Sequence, residues 1–127
     1  MIQELKIRNY KSFRDEVELS FEPSDNDRYN SVVEMPDGVK LLRFAVVLGA
    51  NASGKSNLLD GVEFLRRFWN TLPSTNDDGT DVQPFLLRKD ALLFDTEFEL
   101  KFYVDQIRYW YKLKVSMNSL TSCSSGL

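Results

Sequence analysis

No histidine occurs in this chain. That absence removes imidazole general bases and most zinc sites. The one cysteine, Cys123, cannot form an internal disulfide and fits a reducing compartment. No apolar run approaches the ~18 residues that a membrane-spanning helix needs. The N-terminal MIQELKIRNYK has charge scattered through it and lacks the apolar centre of a secretory signal. These absences read as a cytoplasmic protein with no membrane partner. Positive charge is also in short supply: 16 Lys and Arg against 19 Asp and Glu leave a net charge of −3, so the chain alone does not have the charge of a nucleic-acid clamp.

Aromatic residues, by contrast, make up 13% of the 127 residues, too many for a disordered segment and enough for one domain with a real core. Ile2 to Arg8 reads as a strand, with Leu5 and Ile7 on one face. Val17, Leu19 and Phe21 alternate with Glu16, Glu18 and Ser20, a cleaner period of two. Between them NYKSFRD is short and polar enough for a hairpin connection. Glu22 to Asn30 is a loop by composition. Val32 to Leu42 fits a second hairpin around Met35-Pro36-Asp37-Gly38.

Phe44 to Leu48 (FAVVL) is an unbroken apolar run, which predicts a strand buried on both faces. Gly54 to Trp69 predicts a helix whose apolar stripe contains Leu58, Val62, Leu65 and Trp69, with Leu59 and Phe68 alongside. Gly61 inside it points to close packing, and Pro73 ends the pattern. Thr71 to Asp90 is mainly irregular. Two strands follow, TEFELKFYV (96–104) and IRYWYKLKV (107–115). A tight turn at Asp105-Gln106 sets Glu99 opposite Lys112 and Glu97 opposite Lys114, so the charge pattern and the hydrophobic pattern agree on one register. From Ser116 to Leu127 the sequence is small, polar and without period, and predicts a frayed tail.

The stretch Gly49-Ala50-Asn51-Ala52-Ser53-Gly54-Lys55-Ser56 fits G-x-x-x-x-G-K-[ST], the Walker A phosphate loop. A polyphosphate needs backbone N–H groups aimed at it, so the loop must curl, and glycines at both ends tolerate the required angles. The following helix points its N-terminal amides and the positive end of its dipole at the anion. Lys55 supplies a point charge for the β- and γ-phosphates, and the Ser56 hydroxyl is placed to coordinate Mg²⁺. The plainer reading is a glycine turn with an exposed lysine. An apolar run before the motif and an amphipathic helix after it favour the phosphate loop.

The pairing of LKIRNYKSF with LLRFAVVLGANASGKSNLLD resembles the ABC-type ATPase heads of the RecF/SMC/OLD group, among them bacterial ATPases of anti-phage systems of the retron and Septu kind. The resemblance covers residues 1 to about 115. It implies an α/β fold of α+β character: an N-terminal lobe in which antiparallel hairpins flank a strand–loop–helix unit. It implies ATP and Mg²⁺ as ligands, with Gly49, Asn51, Ala52, Ser53, Gly54, Lys55, Ser56 and Asn57 at the phosphate-loop positions. Lys11 and Ser12 match positions that approach the nucleotide in relatives; otherwise Lys11 is a solvated turn lysine. Two such heads sandwich ATP in relatives, so the partners implied are ATP, a C-terminal lobe and a second head, with nucleic acid reached only through the complete assembly.

The sequence departs from the family pattern where hydrolysis is concerned. Leu92-Leu93-Phe94-Asp95 imitates an acidic second motif but runs straight into the Thr96 strand. Ser124-Ser125-Gly126 imitates part of a signature, with no helix after it to cap, and Gln83 sits in a loop before Pro84. Residues 1–115 therefore read as the first lobe of a head, truncated or split, and 116–127 as a tail outside the family. Two alternatives stay open. One is an interaction module that keeps the loop without a catalytic cycle. The other is a compact phosphotransferase using Asp95, which requires residues 91–95 to lie as a parallel strand beside Phe44–Leu48.

Overall fold

The computed structural model describes residues 1–24, 31–70, 82–87, 93–116 and, for the backbone alone, 120–126. Its main body is a five-stranded antiparallel sheet of order β2-β1-β5-β6-β7, built from β1 (Ile2–Arg8), β2 (Val17–Ser20), β5 (Thr96–Val104), β6 (Ile107–Val115) and β7 (Leu120–Gly126). A small separate hairpin pairs β3 (Val32–Glu34) with β4 (Lys40–Leu42). One helix, α1 (Lys55–Asn70), packs on the large sheet.

Alternation decides the two faces of that sheet. Leu5 and Ile7 of β1 stand opposite Leu100 and Phe98 of β5, which in turn oppose Tyr111 and Leu113 of β6. These side chains meet Leu58, Phe64 and Leu65 of α1 in one core. Phe64 stacks on Phe98 with centroids 5.1 Å apart, and Tyr10 meets the same ring edge-on at 5.3 Å. The other face is solvated, as one face of an antiparallel sheet can be. It carries a ladder of ion pairs: Lys6 with Glu18 at 3.6 Å, Lys101 with Glu4 at 3.2 Å, Lys112 with Glu99 at 3.4 Å and Lys114 with Glu97 at 2.9 Å. Solvated pairs of this kind are weak, so the ladder fixes register more than it stabilises.

The β5–β6 register is the one expected from the charge pattern, with Phe102 stacked on Tyr109 at 5.6 Å. The helix stripe differs from expectation in detail. Its buried residues are Leu58, Gly61, Phe64 and Leu65, while Leu59 is exposed and Trp69 is half exposed against Phe102 and Tyr111. The helix rolls toward Gly61 because only there can its backbone approach the sheet. A Cβ on Gly61 would lie 2.5 Å from Ile7 Cδ1, 3.6 Å from Phe98 and 3.7 Å from Tyr10.

Two expectations are corrected. Phe44–Leu48 is not a strand, and Phe44, Val46 and Leu48 are 66%, 71% and 86% exposed. A strand apolar on both faces needs paired neighbours and cover on each side; no described strand pairs with it. The tail is not wholly frayed either. Leu120–Gly126 pairs antiparallel with β6, from Val115↔Leu120 to Trp110↔Gly126. Ladder bonds are made by the backbone, so an open edge on β6 can recruit a stretch that shows no hydrophobic period. The proposed loop at Glu22–Asn30 lies outside the described residues from 25 onward. The irregular stretch Thr71–Asp90 lies outside them except at 82–87.

The Gly61 contact makes a prediction with a definite sign. Helix propensity alone favours Gly61→Ala by about 1 kcal/mol, but overpacking a filled core costs about 1–3 kcal/mol. Because Ile7 and Phe98 are both 0% exposed, the clash wins and Gly61→Ala should lower stability in urea unfolding. Adding Ile7→Val, which removes the offending methyl, should recover part of the loss.

A second prediction concerns acid. Burial pushes the Glu4 carboxyl up, but hydrogen bonds from Lys6 and Lys101 outweigh it and hold the group below its ordinary value of 4.5. A depressed carboxylate contributes stability that is present above pH 4.5 and lost as pH falls through the folded value. Glu4→Gln should therefore flatten the acid limb of a stability–pH curve and leave its slope near neutrality unchanged.

Candidate functional site

Residues 49–54 form an exposed turn that feeds directly into α1, whose first interior bond runs from Leu58 N–H to the Gly54 carbonyl at 3.0 Å. Gly54 has φ +90° and Ala52 φ +63°, so the chain reverses sharply just before the helix. Only glycine adopts the first angle without strain. A Cβ at Gly54 would also strike the Phe13 ring at 2.8 Å, and one at Gly49 would lie 2.6 Å from Ser53 Oγ. Gly54 is thus required by space as well as by angle, while Gly49 is crowded only by the Ser53 side chain.

Lys55 folds back over this turn. Its ammonium donates to the carbonyls of Gly49 at 2.7 Å and Ala50 at 2.5 Å, and to Ser53 Oγ at 3.3 Å. A short bond from Ser53 N–H to the Ala50 carbonyl at 3.2 Å closes the curl. The charge therefore sits at the mouth of the turn. Helix geometry leaves the amides of Lys55, Ser56 and Asn57 without an intrahelical acceptor. The first turn of α1 holds no acid. An ordinary helix places Asp or Glu there to answer its dipole; this one begins with a cation. The arrangement presents donors for an anion.

The hairpin turn after β1 lies against this junction. Tyr10 and Phe13 exchange both backbone bonds, at 2.9 and 2.8 Å. Between them Lys11 reaches Asp60 at 2.7 Å and Ser12 Oγ accepts from Asn57 Nδ2 at 2.7 Å. The hydrogen bond to Asp60 raises the Lys11 pKa above its ordinary value, so the lysine is firmly cationic. The Lys11 N–H donates to the Gln83 carbonyl at 2.8 Å, which gives Gln83 a backbone role. Three separate sets of bonds thus meet around the start of α1: Lys55 with Gly49, Ala50 and Ser53, Asn57 with Ser12, and Lys11 with Asp60, with Gly54 between the first two. Ala52 shapes the turn through its backbone, Ser56 stands in the first turn of α1, and Asn51 lies in the turn itself.

Sequence reasoning missed Tyr10, Phe13 and Asp60. Tyr10 and Phe13 were read as part of a polar connection, yet Tyr10 is 3% exposed and Phe13 packs against the core. The available signal was two aromatics three residues apart inside a short hairpin. Asp60 lies 49 residues from Lys11 in the chain, and only the fold brings the two together.

Asp95 stands apart. It follows a short irregular piece at Leu93–Phe94 and enters the antiparallel β5, so residues 93–95 are not a parallel strand; Leu92 lies outside the described residues. Its cavity, about 200 Å³, is lined by Arg8, Asn9, Arg14, Leu93, Phe94, Asp95 and Glu97, with no residue of the 49–56 turn among them. Among the described residues, neither 93–95 nor Phe44–Leu48 forms the strand that the compact phosphotransferase requires. Ser124-Ser125-Gly126 lies in β7 and caps no helix.

Residues 44–120, more than half of the chain, match the family described as "AAA domain, putative AbiEii toxin, Type IV TA system". The chain belongs to that family. It is a P-loop NTPase-like AAA domain with nucleotide-binding, ATPase-like function, and AAA-type domains generally bind ATP with Mg²⁺. No curated protein matches the chain. The matched span of this AAA domain begins at the exposed Phe44 segment, includes the turn and α1, and extends through β5 and β6 to the first residue of β7. Among the described residues, no helix is long and apolar enough to cross a membrane.

The geometry at Gly54 yields a test. Gly54→Ala meets both the φ of +90° and the Phe13 ring, whereas Gly38→Ala meets only its φ of +83°, with nothing within 4 Å. Strain of that kind costs of order 1–3 kcal/mol, and a steric clash adds to it. Thermal unfolding should show a larger loss for Gly54→Ala than for Gly38→Ala. An equal loss would mean that Phe13 yields freely.

Proposed function

We propose that this chain is the ATP-binding lobe of an ABC-type ATPase of the RecF/SMC/OLD kind, with Mg-ATP held by residues 49–56. One observation carries the reading: a glycine-bounded turn with Lys55 at its mouth leads into a helix whose first-turn amides have no intrahelical acceptor and whose first turn holds no acid. The donor set fits a polyphosphate. The amides at the start of α1 and the Lys55 ammonium bind it. Lys55 exchanges backbone carbonyls for phosphate oxygens, and the Ser56 hydroxyl holds the metal. Magnesium, when bound, supplies charge neutralisation between phosphate oxygens.

Binding and turnover separate at this point. Holding a polyphosphate takes amides, a lysine and a metal. Hydrolysis also takes a positioned water, a carboxylate and stabilisation of the charge that develops as the phosphoryl group leaves. Asp95 lines a different cavity. Under this proposal the missing groups come from a second lobe or a partner head. The exposed Phe44, Val46 and Leu48 support that arrangement, because a strand-like apolar segment without cover fits a sheet completed by further strands.

Calorimetric titration tests the proposal. Lys55→Ala should abolish Mg-ATP binding, since charge-assisted bonds of ~1.5–3 kcal/mol each are lost. Arg66→Ala should bind as wild type, because Arg66 is exposed and paired with Glu63 at 2.7 Å. In a phosphate-release assay the chain alone should not exceed its Lys55→Ala control. Equal titration curves for wild type and Lys55→Ala would sink the proposed site. Steady release that is lost in Asp95→Asn would restore the compact enzyme.

A further inference from the structure

The proposed phosphate loop is stiffened from within only by local bonds, Ser53 N–H to the Ala50 carbonyl and Lys55 to its own turn. Its side chains stand in solvent from Gly49 to Ser53. Among the described residues, what reaches it from the folded body is the turn after β1. That turn is rigid: it is closed by the reciprocal Tyr10–Phe13 bonds, tied to Gln83 through the Lys11 N–H, and anchored by Tyr10 in the core. It offers successive side chains to the loop–helix junction. The Phe13 ring occupies the space where a Gly54 Cβ would stand, with Cε1 2.8 Å and Cζ 3.3 Å from that point. Ser12 Oγ accepts from Asn57 Nδ2 at 2.7 Å and lies 3.2 Å from the same point.

We propose that Phe13 is a positioning residue for polyphosphate binding, with Ser12 as its polar counterpart. The inference rests on the reading of residues 49–56 as the Mg-ATP site. The ring fills the side-chain space of the glycine whose φ of +90° turns the chain into the helix. A relaxed φ at Gly54 would rotate the peptide that carries the Lys55 N–H and swing the amides of the first turn away from the ligand. Without the ring, those amides must be ordered when the ligand binds, and the ordering entropy is charged against affinity. The device acts on the phosphate cradle and on no base pocket. Its loss must therefore weaken a bare polyphosphate as much as a nucleotide.

The test titrates the full chain with Mg-ATP and with magnesium tripolyphosphate, comparing wild type, Phe13→Ala, Phe13→Tyr, Ser12→Ala and an Arg66→Ala control, with folding checked by circular dichroism. Phe13→Ala should weaken both ligands about tenfold, and Ser12→Ala about threefold, as the loss of one ordering contact or neutral hydrogen bond implies. Phe13→Tyr keeps the ring but adds a hydroxyl at Cζ, on the edge beside Gly54, and should bind between wild type and Phe13→Ala. A purely structural Phe13 would lower the unfolding temperature and leave the affinity of the folded protein unchanged; that result overturns the inference. So does a loss for Mg-ATP alone. If Phe13→Ala fails to fold, Ser12→Ala decides, because its side-chain contact is exposed: unchanged affinity overturns the inference and weakened binding of both ligands supports it. Failure of wild type to bind either ligand defeats the parent reading and this one with it. Binding lost in Lys55→Ala but intact in both turn variants defeats this one alone.

Discussion

The approach of the α1 backbone to Ile7 and Phe98 at Gly61 is the constraint on which the rest of the structure depends. Those two side chains face each other across β1 and β5, and both are fully buried. A helix can settle on them only where it has no side chain of its own. That single closeness sets the roll of α1 and brings Phe64 onto Phe98 and Leu58 and Leu65 into the core. Interiors are packed at crystal-like density, so a helix seated on one point has little freedom elsewhere.

The site follows from that seating. Once α1 is fixed at Gly61, its N-terminal end, which carries Asn57 and Asp60, lies beside the turn after β1. Lys11, Ser12 and Phe13 then meet Asp60, Asn57 and Gly54 in order. The core reaches the loop through Tyr10, which belongs to the buried cluster and to the turn at once. Hydrophobic burial thus supplies the rigidity that a glycine-bounded, solvent-exposed loop cannot supply for itself. The charge arrangement is laid over it. A cation and free amides sit at the positive end of the helix dipole, an arrangement that raises the local potential and suits an anionic ligand.

Particular residues show where the sequence was legible. Glu97, Glu99, Lys112 and Lys114 announced both the hairpin and its register, because cross-strand charge and alternating apolar residues are local properties of paired strands. The first strand, the helix and the motif 49–56 were readable for the same reason. FAVVL was misread: its composition describes what the segment can pair with, and a strand exists only where a partner edge is present. The stretch 120–126 was misread in the opposite sense, for its backbone pairs where its side chains gave no sign. Tyr10 and Phe13 looked like connection residues because a turn is judged by its polar neighbours.

By itself the sequence determined the periods of β1, β2, β5, β6 and α1, the single register of β5 with β6, and the set of donors at 49–56. All of these are fixed by neighbours within a few residues or by direct pairing. Tertiary structure alone decided which helix face is buried, that Asp60 answers Lys11, that Phe13 fills the space beside Gly54, and that Asp95 lies in another cavity. The reason is physical. Contacts between residues 40 to 50 positions apart exist only after α1 has packed on the sheet, and no local preference encodes the angle at which two packed layers meet.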